Sequence, residues 1–276
     1  MTAPSTASRL RFATARLTTG PLIRFVEQGE RGGEALIFIH GWPDSWFSWS
    51  RLLALLPEGY RAFALDQRGF GDSEQPDGGY TIEQLAADVV AFMDAVGVAR
   101  ATLIGHSMGT FVARRVAVTA PERVTGLVLI GSAVTAVNAV TQEVREQLAP
   151  LTDPLPESFV REFQASAIYL PLPEAFFEGI VAASLQAPAW VWQRMFDGLL
   201  AFGDGDRLGR IAVPTLILWG DRDALFSDAE EQQRLAAAIP GARLTILTET
   251  GHSPNWERPE EVAAALDAFL ERAGQA

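Results

Sequence analysis

Ser107 stands in the run Gly105-His106-Ser107-Met108-Gly109, a serine with a glycine two residues away on either side. A serine hydroxyl is a weak nucleophile until an imidazole takes its proton, so the histidines decide what this serine can do. There are three: His40, His106 and His252. His106 adjoins the serine on the same tight turn, so its side chain is expected to point elsewhere and pack beside that turn. His40 ends an apolar run. His252 lies in a loop after the last apolar run, between Gly251 and Ser253, and by position and elimination it is the expected general base. An acid should orient the far imidazole nitrogen, and Asp221 and Asp223 both follow the apolar run at 215–219. The chain has no cysteine and no lysine, all 22 basic residues being arginine. Thiolate nucleophiles, disulfides, cysteine-ligated metals and Schiff-base chemistry are thereby excluded.

These side chains need a scaffold. A serine flanked in this way becomes reactive when it sits on a sharp turn between a strand and a helix. The apolar run before Gly105 and the helical pattern over 110–118 supply that context, with the Met108 amide then aimed at a developing oxyanion. Strands are expected at 22–27, 35–40, 60–66, 101–105, 124–131, 215–219 and 243–248, alternating with helical stretches. The clearest helix starts after Thr81, where Thr81 and Gln84 could form a capping box; another closes the chain over 259–273. This alternation indicates an α/β protein with a mostly parallel sheet covered on both faces. The rhythm breaks at 133–210, which is helical, proline-rich and aromatic but holds no strand. The expected division is a core of 1–132 and 211–276 with a helical cap, 133–210, over the carboxyl ends of the strands.

In these motifs the chain resembles the α/β-hydrolase superfamily from about residue 21 to 270. The resemblance rests on His40-Gly41-Trp42-Pro43, the Asp66 to Ser73 run DQRGFGDS, the serine elbow, Trp219-Gly220-Asp221-Arg222-Asp223 and Gly251-His252-Ser253, in that order. It implies a catalytic triad of Ser107, Asp223 and His252, since the superfamily places the acid three residues after the glycine. Some relatives carry the acid after the sixth strand; here that position reads Gly131-Ser132-Ala133. It also implies that His40 shapes the oxyanion loop and that the Trp42 and Met108 amides form the oxyanion hole. Haloalkane dehalogenases and epoxide hydrolases share the His-Gly-x-Pro signature but carry an aspartate at the elbow, so Ser107 points to acyl chemistry. The whole-chain pattern is similar to capped bacterial hydrolases that open lactones, including N-acyl-homoserine and zearalenone lactonases. The run at 66–73 is read as structural, its carboxylates capping turns and Arg68 pairing locally.

Seven tryptophans and the aromatic insertion suggest an apolar site, with Trp42, Trp46, Trp190, Trp192 and Phe196 as candidate substrate contacts. The expected reaction is hydrolysis of a hydrophobic ester, foremost a lactone, through an acyl-enzyme, without cofactor or metal. A lyase, perhydrolase or carbon–carbon hydrolase using the same triad, or a silent receptor on the same fold, are the competing readings; hydroxynitrile lyases usually need a lysine that is absent here. A net charge of −12 argues against a nucleic-acid partner. No apolar run is long enough to span a bilayer, and residues 1–20 hold no continuous apolar segment. A cytoplasmic protein without a secretory leader is therefore expected.

Overall fold

The strands form because apolar, often β-branched runs bury both faces, the pattern of parallel strands sandwiched between helices. In the computed structural model, which describes residues 10–273, they make one sheet of eight. The strands are β1 (Arg11–Arg16), β2 (Leu22–Gly29), β3 (Glu34–Ile39), β4 (Tyr60–Leu65), β5 (Ala101–His106), β6 (Val124–Ile130), β7 (Thr215–Gly220) and β8 (Arg243–Leu247). Their order is β1-β2-β4-β3-β5-β6-β7-β8; β1 with β2 and β2 with β4 are antiparallel and every other pair is parallel. Part of the stretch expected to hold no leader, residues 1–9, lies outside the described residues.

The helices are α1 (Ser50–Leu53), α2 (Ile82–Ala95), α3 (Met108–Thr119), α4 (Ala139–Leu148), α5 (Glu157–Ser166), α6 (Glu174–Ser184), α7 (Ala189–Ala201), α8 (Ala229–Ala238), α9 (Pro254–Glu257) and α10 (Pro259–Ala273). Side chains alternate across a strand, so each central strand feeds two cores. Ile37, Ile39, Leu103 and Leu129 pack with Leu85, Val89 and Phe92 of α2 and with Phe111 and Val116 of α3. Leu36, Phe38, Ile104 and Val128 pack on the other side with Trp49, Leu52 and the α10 stripe Val262, Leu266, Phe269 and Leu270. Among the described residues, no helix is long and apolar enough to cross a membrane.

Two local expectations change. β1 was not expected: its alternation of Phe12 and Ala with arginine and threonine lacks an apolar run, and as an edge strand it stays largely exposed. At α2 the Thr81 hydroxyl accepts the Gln84 N–H at 3.2 Å, but the Gln84 side chain reaches Asp88 Oδ1 at 3.2 Å instead of returning to the cap. The full capping box occurs at α4, between Asn138 and Thr141.

Between β6 and β7 run α4, α5, α6, α7 and a 3-10 turn, Gly205–Arg210, with no strand. This helical insertion lies over the loops that follow β3, β5 and β8. The Trp42 indole N–H donates to the Trp192 carbonyl at 3.2 Å, and the His252 backbone N–H donates to the Ala167 carbonyl at 3.0 Å.

Candidate active site

Ser107 joins β5 to α3 with φ +49° and ψ −120°. A side-chain-bearing residue at positive φ is uncommon and costs backbone strain of about 1–3 kcal/mol. The surroundings hold it there. Its N–H donates to the Ile130 carbonyl at 2.9 Å, and its carbonyl accepts the Thr110 hydroxyl at 2.7 Å and the Thr110 N–H at 2.9 Å. The flanking glycines are sterically required: a Cβ on Gly105 would stand 2.4 Å from the Gly109 carbonyl oxygen, and one on Gly109 would stand 2.0 Å from that of Ile39. Met108 opens α3, so its N–H belongs to the first-turn donors that have no partner within the helix.

His252 is 2% exposed, and its Nδ1 lies 2.8 Å from Asp223 Oδ2. A carboxylate there accepts, so Nδ1 carries the hydrogen and Nε2 is left as the acceptor. That Nε2 is buried and makes no hydrogen bond. Asp223 Oδ1 accepts the Leu225 and Phe226 N–H groups, each at 2.8 Å. Burial acts to raise the Asp223 pKa. The His252 charge and hydrogen bond, with the two backbone donors, outweigh it and hold the carboxyl below its ordinary value. Asp221 instead points to the surface beside Arg222. After β6, Gly131 adopts φ +59°, and a Cβ there would meet the His252 carbonyl oxygen at 2.5 Å. That position admits the histidine loop only because it is glycine.

His40 is fully buried. Its Nδ1–H donates to the Gly41 carbonyl at 2.7 Å and its Nε2 accepts the Gln67 N–H at 3.0 Å. Burial pushes its pKa down to about 4, so the ring is neutral and ties the loop after β3 to the loop after β4. Asp66 fastens the same region, accepting the Trp46 N–H at 2.7 Å and the Asp72 N–H at 3.0 Å. Arg68 donates to the Gly78 carbonyl at 3.0 Å within the loop after β4, and it also binds Asp88 of α2 through Nε at 2.5 Å and through its terminal nitrogen at 2.7 Å. The 66–73 run is thus a structural latch, as expected, with a more distant partner for its arginine.

Ser107 and His252 line one narrow cavity of about 30 Å³. Its wall is mostly apolar and takes Val144, Phe163, Ala167, Phe196 and Leu199 from the helical insertion. Of the five expected substrate contacts, Trp42 and Phe196 are on this wall. The other three are not. Trp192 is fully buried behind Trp42, ring centroids 4.9 Å apart, with its indole N–H bound to the Ser184 carbonyl. Trp190 faces the opposite side of α7, edge-on to Tyr80 and under the Arg194 guanidinium. Trp46 packs against Phe12 of β1 and Phe47. Their size drew them into the expected set, whereas packing placed them: Trp192 inside the insertion, Trp190 and Trp46 against residues of the core.

His106 departs from expectation in the other direction. It packs against the turn, yet it also reaches the cavity wall, its Nε2 3.1 Å from the His252 carbonyl oxygen. Sequence reasoning missed Asp44, Gln164, Ser253 and Trp256 on the same wall. Asp44 could have been found from its place directly after His40-Gly41-Trp42-Pro43; Gln164 carries no signal outside the fold. Among the described residues no group of three or more histidine, aspartate or glutamate side chains is placed to hold a metal ion.

Known proteins resemble this chain over nearly its whole length. The chain is 32% identical to a non-heme chloroperoxidase of Streptomyces lividans over 93% of its own length and 99% of that protein's. It is 33% identical to epoxide hydrolase A of Mycobacterium tuberculosis, covering 92% and 95% of the two chains. Among solved structures, a thermophilic esterase from Thermogutta terrifontis superposes with a TM-score of 0.83 at 26% identity, over 95% of this chain and 99% of that one. The model of the alpha/beta hydrolase family matches residues 36–265, a span running from β3 through the serine elbow to α10, and the chain belongs to that family.

Proposed function

We propose that this protein is a serine hydrolase of hydrophobic carboxylic esters, lactones foremost. The observation that carries the reading is the buried, unpartnered Nε2 of His252 on the cavity that Ser107 lines, with Asp223 fixing the tautomer from behind. Ser107 Oγ attacks the carbonyl carbon while His252 Nε2 takes its proton. The oxyanion rests on the Trp42 and Met108 N–H groups, each such donor contributing about 3–4 kcal/mol to the transition state. His252 then gives its proton to the leaving oxygen, and later takes one from the water that releases the acyl group. An elbow carboxylate, needed to form an alkyl ester from an epoxide, is absent, so the epoxide hydrolase relative is not taken as a guide to chemistry.

A narrow apolar cavity favours a lactone, in which acyl and alcohol portions share one ring and need no second groove. The test is acid release at constant pH from hydrophobic lactones and matched acyclic esters, with Ser107→Ala as the blank. Turnover is expected with the wild type, lactones ahead, falling about 10⁴-fold or more in the variant. Turnover that survives in Ser107→Ala overturns the reading.

The likeness to a chloroperoxidase supports a second outcome at the same serine. Hydrogen peroxide in place of water would attack the acyl-Ser107 carbonyl, releasing a peroxy acid and the free hydroxyl. Bromination of an activated diketone in carboxylate buffer with peroxide and bromide, the peroxy acid oxidising bromide to hypobromite, measures that branch and should be abolished by Ser107→Ala.

A further inference from the structure

Resting on the ester-hydrolase reading, we propose that Asp44 and His106 form a subsite beside Ser107 that takes a hydroxyl group of the substrate. The preferred ester or lactone would then be a hydroxylated apolar one. The argument starts from hydrogen positions. The His252 carbonyl can only accept, so the His106 Nε2 facing it at 3.1 Å carries the hydrogen, and Nδ1 of the neutral ring is an acceptor. This Nδ1 is buried and has no hydrogen-bond partner. Across from it at 3.8 Å lies Asp44 Oδ2, also an acceptor, on a side chain only 3% exposed. The buried His106 Nδ1 thus faces a second acceptor, Asp44 Oδ2, with no hydrogen between them, and both residues line the cavity. Burying such atoms without a donor costs free energy, so the pair selects a ligand that brings one.

The neighbours fix the direction of that selection. Gln164 Nε2 is spent on Asp44 Oδ1 at 3.1 Å and on the Ser184 hydroxyl at 2.8 Å, which anchors the carboxylate and leaves Oδ2 open. A Cβ on Gly41 would stand 3.0 Å from Ser107 Cβ, 3.1 Å from His106 Nδ1 and 3.4 Å from Asp44 Oδ2. Gly41 therefore packs between the serine Cβ and both acceptors with less than a methyl group's room, and the selected donor must lie close to the scissile carbonyl. The rest of the wall is apolar, so an ammonium group would lose its hydration for two acceptors alone, while a hydroxyl loses far less. A substrate carboxylate would face Asp44 with like charge.

The experiment compares kcat/KM for ethyl 3-hydroxybutanoate against ethyl butanoate, and for 2-hydroxyethyl butanoate against propyl butanoate. The two pairs carry the hydroxyl on the acyl and on the alcohol side. Wild type and Asp44→Asn are each normalised to the Ser107 labelled by a fluorophosphonate. The expected result is a preference for the hydroxylated member of at least one pair, on the order of ten- to a hundredfold as for a hydrogen bond to a charged acceptor. That ratio should fall toward one in Asp44→Asn. Equal rates within both wild-type pairs overturn the subsite, as does a preference that persists in Asp44→Asn. No turnover and no labelling in the wild type would instead overturn the hydrolase reading beneath it.

Discussion

At the residue scale, two side chains carry sharp expectations. Asp223 fixes which nitrogen of His252 bears the hydrogen, so Asp223→Asn should leave Ser107 in place but lower kcat about 10⁴-fold, read as steady-state turnover per labelled serine. His40 carries a stability expectation. Its folded pKa of about 4 lies below the ordinary 6.5, so between those values the unfolded chain binds a proton that the folded chain does not. Stability therefore rises with pH across that window and is lost as pH falls from 6.5 through 4, by roughly 3 kcal/mol at the limit. Urea unfolding from pH 4 to 7 should show a shallower slope in His40→Asn than in wild type. Ser107 could be picked out in the sequence because an elbow constrains neighbours within a few residues, and His252 by elimination among three histidines. Gln164 was not legible, because 120 positions separate it from Asp44 and the two meet only through the fold.

At the element scale, seven of the eight strands were readable from apolar runs, and β1 was not, because this largely exposed edge strand, RFATAR, has no apolar run to read. The insertion was legible as helices without strands, but helical spacing cannot say which of two faces meets the cavity, which is why Trp190 and Trp192 were misplaced. The element that most repays attention is α9. Its Glu257 carboxylate accepts the Gly251 N–H at 3.0 Å, the Tyr169 N–H at 3.0 Å and the Leu170 N–H at 2.7 Å, joining the loop of His252 to the segment after α5. Glu257→Ala should lower kcat by about ten- to a hundredfold with a smaller change in KM, as displacing a reacting group by about an ångström does. An unchanged kcat per labelled serine would show that the loop holds its place without the carboxylate.

At the scale of the whole molecule, the insertion is fastened to the core by a buried ion pair. Arg114 of α3 reaches Asp204, beyond the end of α7, at 2.7 Å, and reaches the Ala133 carbonyl at 2.5 Å. Burial pushes the Asp204 pKa up and the Arg114 pKa down, each against the attraction of its partner. Removing one member leaves an uncompensated buried charge, so Asp204→Ala should cost about 3–5 kcal/mol by denaturant unfolding, whereas Arg114→Met with Asp204→Leu should cost much less. The hydrogen bonds between the His252 loop and the segment after α5 have a further consequence. The Ala167 carbonyl holds the histidine's own backbone, and Glu257 holds the two neighbouring stretches together, so the roof of the cavity also braces the base. A roof lifted away would withdraw both supports from His252. Exchanging this insertion for that of a relative would therefore alter the engine along with the door.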